Sequence, residues 1–197
     1  MKTILKAISL TIAGAFLVSW LKSSQALLAL LLGVVLLIHL LRVAYRTRRW
    51  QAVLRESFYL VTFATIGFLT ESWGTHNGHW TYYHLPEGQN VPSWVPLAWA
   101  IAAWLLGKSE EALQAWQAQK KAPIQGTRQL ASFYFLGMLL PLIGESICIA
   151  FGVWEYHWPF KILGVPLLAL VLIAYAHYVF SLIRAGGARN QPTPLVR

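Results

Sequence analysis

Two glutamates carry the chemistry this sequence is equipped to do. Glu71 and Glu145 each lie near the end of an apolar run, and each is followed by a serine, Ser72 and Ser146. A Gly-x-Trp-x-Tyr motif then follows in both places, Gly78-x-Trp80-x-Tyr82 and Gly152-x-Trp154-x-Tyr156. Glu71 stands 16 residues after Arg55 and Glu145 stands 17 after Arg128. At ~1.5 Å per residue both therefore lie ~25 Å along a helix from the preceding cation. Lys161 is the one basic residue expected near that depth. An ionised, unpaired carboxylate in hydrocarbon costs several kcal/mol, so at least one of the pair is expected to hold its proton at neutral pH.

A neutral acid in a dry, aromatic-walled site suits protonation of an electron-rich carbon–carbon double bond. Trp and Tyr faces stabilise the resulting cation by up to ~2 kcal/mol each when desolvated. The second carboxylate can take a proton back or orient water to trap the cation. Pro141, four residues before Glu145, frees a backbone carbonyl beside Gly144 and is expected to kink its helix and open a cavity. A plainer reading has each Glu capping its own loop, accepting bonds from backbone N–H groups or from the Tyr and Trp of its motif. No G-x-G-x-x-G, P-loop or Cys cluster points to redox or phosphoryl chemistry, and the expected reaction needs no cofactor.

His76, His79 and His84 follow Glu71, and His157 lies in the corresponding later loop. These are acceptable ligand types for zinc or iron. Asn77-Gly78 breaks any helix there, so the spacing fixes no geometry, and the later loop keeps only His157. No metal is assigned, and the four histidines stay as an alternative ligand set. His39 and His177 read as core or interface residues.

The elements that must position the acids are apolar helices. The chain is 57% hydrophobic and 12% charged, with a net charge of +9, and that share of charge is about half the ~25% usual in soluble domains. Apolar runs fall at 3–21, 25–43, 57–73, 92–107, 129–151 and 162–183. Each approaches the ~20 residues that span a ~30 Å hydrocarbon core, and none alternates as a strand would. The expectation is an all-α, polytopic membrane helix bundle of about six transmembrane helices in one domain, residues 1–185, with a flexible cytoplasmic tail at 186–197. The first run resembles a signal peptide, but the second begins at once, so an uncleaved signal-anchor helix is expected.

The basic residues lie between the runs on alternate sides. Fourteen, at Lys2, Lys6, Arg42, Arg46, Arg48, Arg49, Arg55, Lys108, Lys120, Lys121, Arg128, Arg184, Arg189 and Arg197, fall on one side. Lys22 and Lys161 fall on the other, with most loop Trp and Tyr. That asymmetry places both termini in the cytoplasm, in a membrane such as the bacterial inner membrane, and argues against nucleic acid as a partner. The stretch holding Glu110-Glu111 and Lys120-Lys121 is expected to be an amphipathic cytoplasmic linker helix at the headgroups. Cys148 is the single cysteine, which excludes an internal disulfide. Nothing in the sequence sets the number of subunits.

A shift of 74 residues superposes Glu71-Ser72 on Glu145-Ser146, one Gly-x-Trp-x-Tyr on the other, and Val91-Pro92 on Val165-Pro166 without a gap. This predicts a parallel internal repeat, residues 55–107 and 128–183 (helices 3-4 and 5-6), preceded by helices 1 and 2 in 1–50. The two acids are then expected to face each other across a pseudo-twofold axis.

The stretch from Glu145 through Gly152-x-Trp154-x-Tyr156 to Leu163-Gly164-Val165-Pro166-Leu167 resembles the signature of the carotenoid-biosynthesis membrane protein family. That family includes carotenoid hydratases acting on ψ-end groups, and the pairing of helix and Glu is similar to that of membrane lycopene cyclases. The resemblance covers about 55–183 and implies that Glu71 and Glu145 are the acid–base pair. It also implies that Trp80, Tyr82, Trp154 and Tyr156, with Ser72 and Ser146, bind a lipophilic small molecule. The chain departs from the family in being shorter and in carrying Trp where Tyr or Phe is usual. Two other classes stay open beside a hydratase or cyclase: a small proton- or cation-coupled transporter, and a non-catalytic membrane assembly subunit.

Overall fold

The computed structural model describes residues 2–119 and 127–189. It is all-helical apart from four very short strands. The helices are α1 (Lys2–Trp20), α2 (Gln25–Thr47), α3 (Trp50–His76), α4 (Val95–Ala118), α5 (Thr127–Ala150) and α6 (Leu167–Arg189). Strand β1 (Trp80–Tyr82) follows α3, and β2 (Trp154–Tyr156), β3 (Lys161–Ile162) and β4 (Val165–Pro166) lie between α5 and α6. Helices α1, α2 and α3 are long and apolar enough to cross a membrane. Shorter apolar stretches, Tyr134–Ala150 and Leu167–Val179, lie in α5 and α6.

The sequence breaks the helices where its residues dictate. Arg48 takes a left-handed conformation, φ 50°, with its N–H on the Ala44 carbonyl, and ends α2. Pro96 occupies the first turn of α4, where its missing N–H costs nothing. Gly78 and Gly152, at φ +69° and +66°, end α3 and α5, conformations a side chain would resist.

The endings of α3 and α5 match bond for bond. Asn77 N–H donates to Trp73 O, and Phe151 N–H to Ile147 O. The His79 N–H reaches back to Gly74 O at 2.9 Å, and the Val153 N–H to Cys148 O at 2.9 Å. Beyond them β1 and β2 pair antiparallel, with Trp80 opposite Tyr156, Thr81 opposite Glu155 and Tyr82 opposite Trp154. Tyr83 N–H to Val153 O and His157 N–H to His79 O extend the ladder at its two ends. Every one of these bonds has its counterpart 74 positions along.

Helix α4 is central: it packs on α3, α1, α2 and α5, while α5 packs on α6 and α1. Lys22, just past α1, donates to the Phe151 carbonyl beyond α5. Gln25, which opens α2, accepts from Ser93 N–H before α4. Hence α1, α3 and α5 end, and α2, α4 and α6 begin, at one end of the bundle, where the strands lie. Leu30, Leu37 and Leu41 of α2, Phe58 and Val61 of α3, and Leu168 and Leu172 of α6 are exposed. An apolar surface of this extent matches lipid rather than water.

Two expectations are corrected. The fourth helix does not stop near residue 107 before a separate surface helix; α4 runs unbroken to Ala118. Ala103, Leu106, Glu110, Leu113 and Gln117 all fall on its buried face, because their spacing of three, four and seven matches the helical repeat. Only Lys108 and Glu111 of the charged run face outward, paired at 2.6 Å. Of the stretch 186–197 expected as a flexible tail, residues 186–189 are the last residues of α6, and 190–197 lie outside the described residues. Lys120, Lys121 and Arg197, and the side chains of Arg128, Arg184 and Arg189, lie outside the described residues.

Candidate functional site

Beneath the strands lies a cavity of about 230 Å3 lined almost entirely by apolar side chains of α1, α3, α4, α5 and α6. Glu71, Glu145, Tyr82, Trp154 and Tyr156 all contribute to its wall. The last two turns of α3 supply Glu71, α5 supplies Glu145, and the β1–β2 pair turns its Tyr side chains onto them. Pro141 and Gly144 also line the cavity, although α5 stays helical through the proline. A small side chain and a missing backbone N–H one turn from Glu145 leave room where a bulkier helix face would fill it.

The two carboxyls are held differently. Glu71 accepts three side-chain bonds, from Trp80 Nε1 at 2.8 Å and Tyr82 OH at 2.9 Å on Oε2, and from Trp99 Nε1 at 3.0 Å on Oε1. Among the described residues Glu145 accepts one, from Tyr156 OH at 2.7 Å. Tyr82 and Tyr156 correspond across the 74-residue shift, and their bonds agree. The tryptophans do not: Trp80 binds Glu71, whereas the buried Trp154 Nε1 has no partner among the described residues. The third donor, Trp99, has Ile173 as its counterpart, which cannot donate.

Burial, and then the charge of Glu71, hold the Tyr82 phenol well above the usual tyrosine range. For Tyr156 the causes are burial and the charge Glu145 carries when ionised. Both phenols therefore remain protonated donors. Among the described residues no Lys or Arg reaches either carboxyl. Lys22 and Lys161, the two basic residues at the strand end, spend their donors on the carbonyls of Phe151 and Tyr156.

The remaining sequence candidates are scattered. Trp80 stands behind Glu71 rather than in the cavity wall, its ring over Gly74. Ser72 borders a shallow groove with Trp73 and His76 on another face. Ser146 donates to the Ile143 carbonyl of its own helix. The four loop histidines do not converge: His79 packs among Trp73, Trp80 and Trp158, His157 bonds Thr81 at 2.9 Å, and His76 and His84 are exposed. Among the described residues no three His, Cys, Asp or Glu side chains gather as metal ligands.

Trp99 lies outside the site expected from the sequence, and His39 and His177, expected as core or interface residues, are buried against acidic partners. Trp99 was one more aromatic in an apolar run; comparison with Ile173 under the 74-residue shift would have singled it out. His177 lines the floor of the same cavity, with Nε2 2.8 Å from Glu110 Oε1. His39 on α2 pairs at 2.8 Å with Glu56 on α3. Comparison with known protein families, with curated proteins and with solved structures found no match to this chain.

Proposed function

We propose that this is an integral membrane enzyme of isoprenoid- or carotenoid-type metabolism that protonates a carbon–carbon double bond for hydration or cyclisation. The observation that carries this is the cavity beneath the strands. It is an apolar, aromatic-walled chamber lined by both acids, in which, among the described residues, Glu145 is bonded once and Glu71 three times. An engineered apolar cavity of ~150 Å3 admits benzene, and drug-sized sites take ~300–1,000 Å3. A chamber of about 230 Å3 therefore suits one end group of a long lipophilic molecule.

In the proposed reaction the Glu145 O–H bond breaks and its proton forms a C–H bond with one alkene carbon. The π electrons make that bond and leave a cation on the other carbon, facing the Trp154, Tyr156 and Tyr82 rings. Water then adds through oxygen and returns a proton to Glu145, or an internal double bond attacks and the ring loses a proton to Glu145. Either route restores the acid, so the cycle closes without a cofactor. Glu71 keeps the aromatic wall in place through its three donors.

The reading extends to the membrane: six spanning helices with both termini cytoplasmic, the strands on the opposite face, and helices α3–α4 and α5–α6 as duplicated units. The matched endings of α3 and α5 and the self-complementary β1–β2 register support the duplication. The test is Glu145→Gln in the full chain, with lipid extracts compared between cells carrying wild type, variant or neither. A product present with wild type and missing with a folded variant supports the enzyme; an unchanged product pattern removes it.

A second reading, a proton- or cation-coupled transporter, draws on the buried His177–Glu110 pair at the cavity floor. It predicts pH-dependent solute flux in proteoliposomes that Glu145→Gln abolishes.

A further inference from the structure

The far half of α4 carries polar groups the chamber chemistry does not use. Glu110 and His177 are 6% and 3% exposed and sit 2.8 Å apart, in the part of the bundle away from the strands. His177 Nδ1 has no partner among the described residues. Seven residues further along α4, Gln117 is 4% exposed, and neither its amide nitrogen nor its amide oxygen has a partner among them. Ala103, seven residues before Glu110, lines the cavity. Residues seven apart share a helix face, so Ala103, Glu110 and Gln117 form one line ~20 Å long at ~1.5 Å per residue.

A buried amide with both atoms unbonded costs on the order of 1–3 kcal/mol per group, and native proteins meet such a deficit with ordered water. The two unbonded Gln117 atoms lie on that α4 face, and His177, with Nδ1 unbonded, meets the face from α6 at Glu110. That line begins at the cavity wall and ends at the last turn of α4. We infer that Gln117, Glu110 and His177 form a buried file of water leading from the far end of the bundle to the cavity floor. The ligand is water itself, admitted from the end opposite the strands. Resting on the reading of the cavity as a reaction chamber, the file supplies the oxygen of a hydration, or lets the Glu145 proton exchange with solvent.

Cysteine accessibility tests this without a substrate. The full chain, carrying Cys148→Ser, is reconstituted in vesicles with Gln117→Cys, Glu110→Cys or Ala100→Cys. A small, charged, water-soluble methanethiosulfonate is then applied from either side. Ala100 is a control, 2% exposed among Tyr59 and Phe63. Gln117→Cys and Glu110→Cys are expected to react on the order of tenfold faster than the control, from one side of the membrane. Glu110→Cys removes a partner of His177, so a monodisperse elution profile is required of it; Gln117→Cys breaks no bond and decides alone if Glu110→Cys misfolds. Labelling of Gln117→Cys as slow as the control, in folded protein, overturns the file. Labelling is independent of turnover, so loss of the file and loss of the proposed enzyme activity are separate outcomes.

Discussion

Thr81 lies directly across the β1–β2 pair from Glu155, its counterpart 74 residues later, and this one register fixes the roof of the cavity. With those two opposite each other, Tyr82 and Tyr156 sit at matching places on either side. Each lowers its phenol onto the glutamate of its own unit. A slip by one residue would turn both phenols away from the carboxyls.

The unequal bonding of the acids predicts unequal stability losses. Glu71→Ala leaves Trp80 Nε1, Tyr82 OH and Trp99 Nε1 without their acceptor, whereas Glu145→Ala frees only Tyr156 OH. At about 1–3 kcal/mol for each buried donor left unpaired, Glu71→Ala is expected to lower the melting temperature in detergent well beyond Glu145→Ala. Equal shifts would contradict the asymmetry.

Two glycines hold the tryptophan donors in place. A Cβ at Gly67 would overlap the Trp99 ring, and one at Gly74 the Trp80 ring. Gly67→Ala and Gly74→Ala are expected to cost about 1–3 kcal/mol each through overpacking. Gly14→Ala meets nothing within 4 Å. Thermal unfolding of the three variants, with Trp fluorescence as readout, is expected to separate Gly14→Ala from the other two.

Alkaline pH should act through the phenols. Tyr82 and Tyr156 keep their protons in the folded chain at pH values where the unfolded chain, titrating near ~10, releases them. The unfolded state then binds fewer protons, so stability is full below about pH 10 and falls as pH rises beyond it. Unfolding midpoints between pH 8 and about 11 check the slope, with Tyr82→Phe expected to flatten it.

Along α4, adjacent glutamates are expected to behave oppositely. Glu110→Leu strands His177 in the interior and is expected to cost about 3–5 kcal/mol. Glu111→Gln weakens an exposed pair with Lys108, worth about 0–1 kcal/mol. Chemical or thermal unfolding of the purified variants distinguishes them, and a mild Glu110→Leu would argue against a buried pair.

The sequence alone determined the helices, because apolar runs near 20 residues leave the backbone few alternatives, and Gly78 and Gly152 mark where two of them end. It also picked out the pair of acids and the tyrosines that meet them, since residues on equivalent local motifs repeat at a fixed spacing. Tertiary structure decided what neighbours those groups have. Glu110 looked like headgroup charge until α6 brought His177 against it. Trp99 lies 28 residues from the carboxyl it binds, and no local pattern links the two. Helix periodicity specifies a face, whereas which face meets which, and whether an indole N–H finds an oxygen as Trp80 does or none as Trp154 does, follows from packing across the whole bundle.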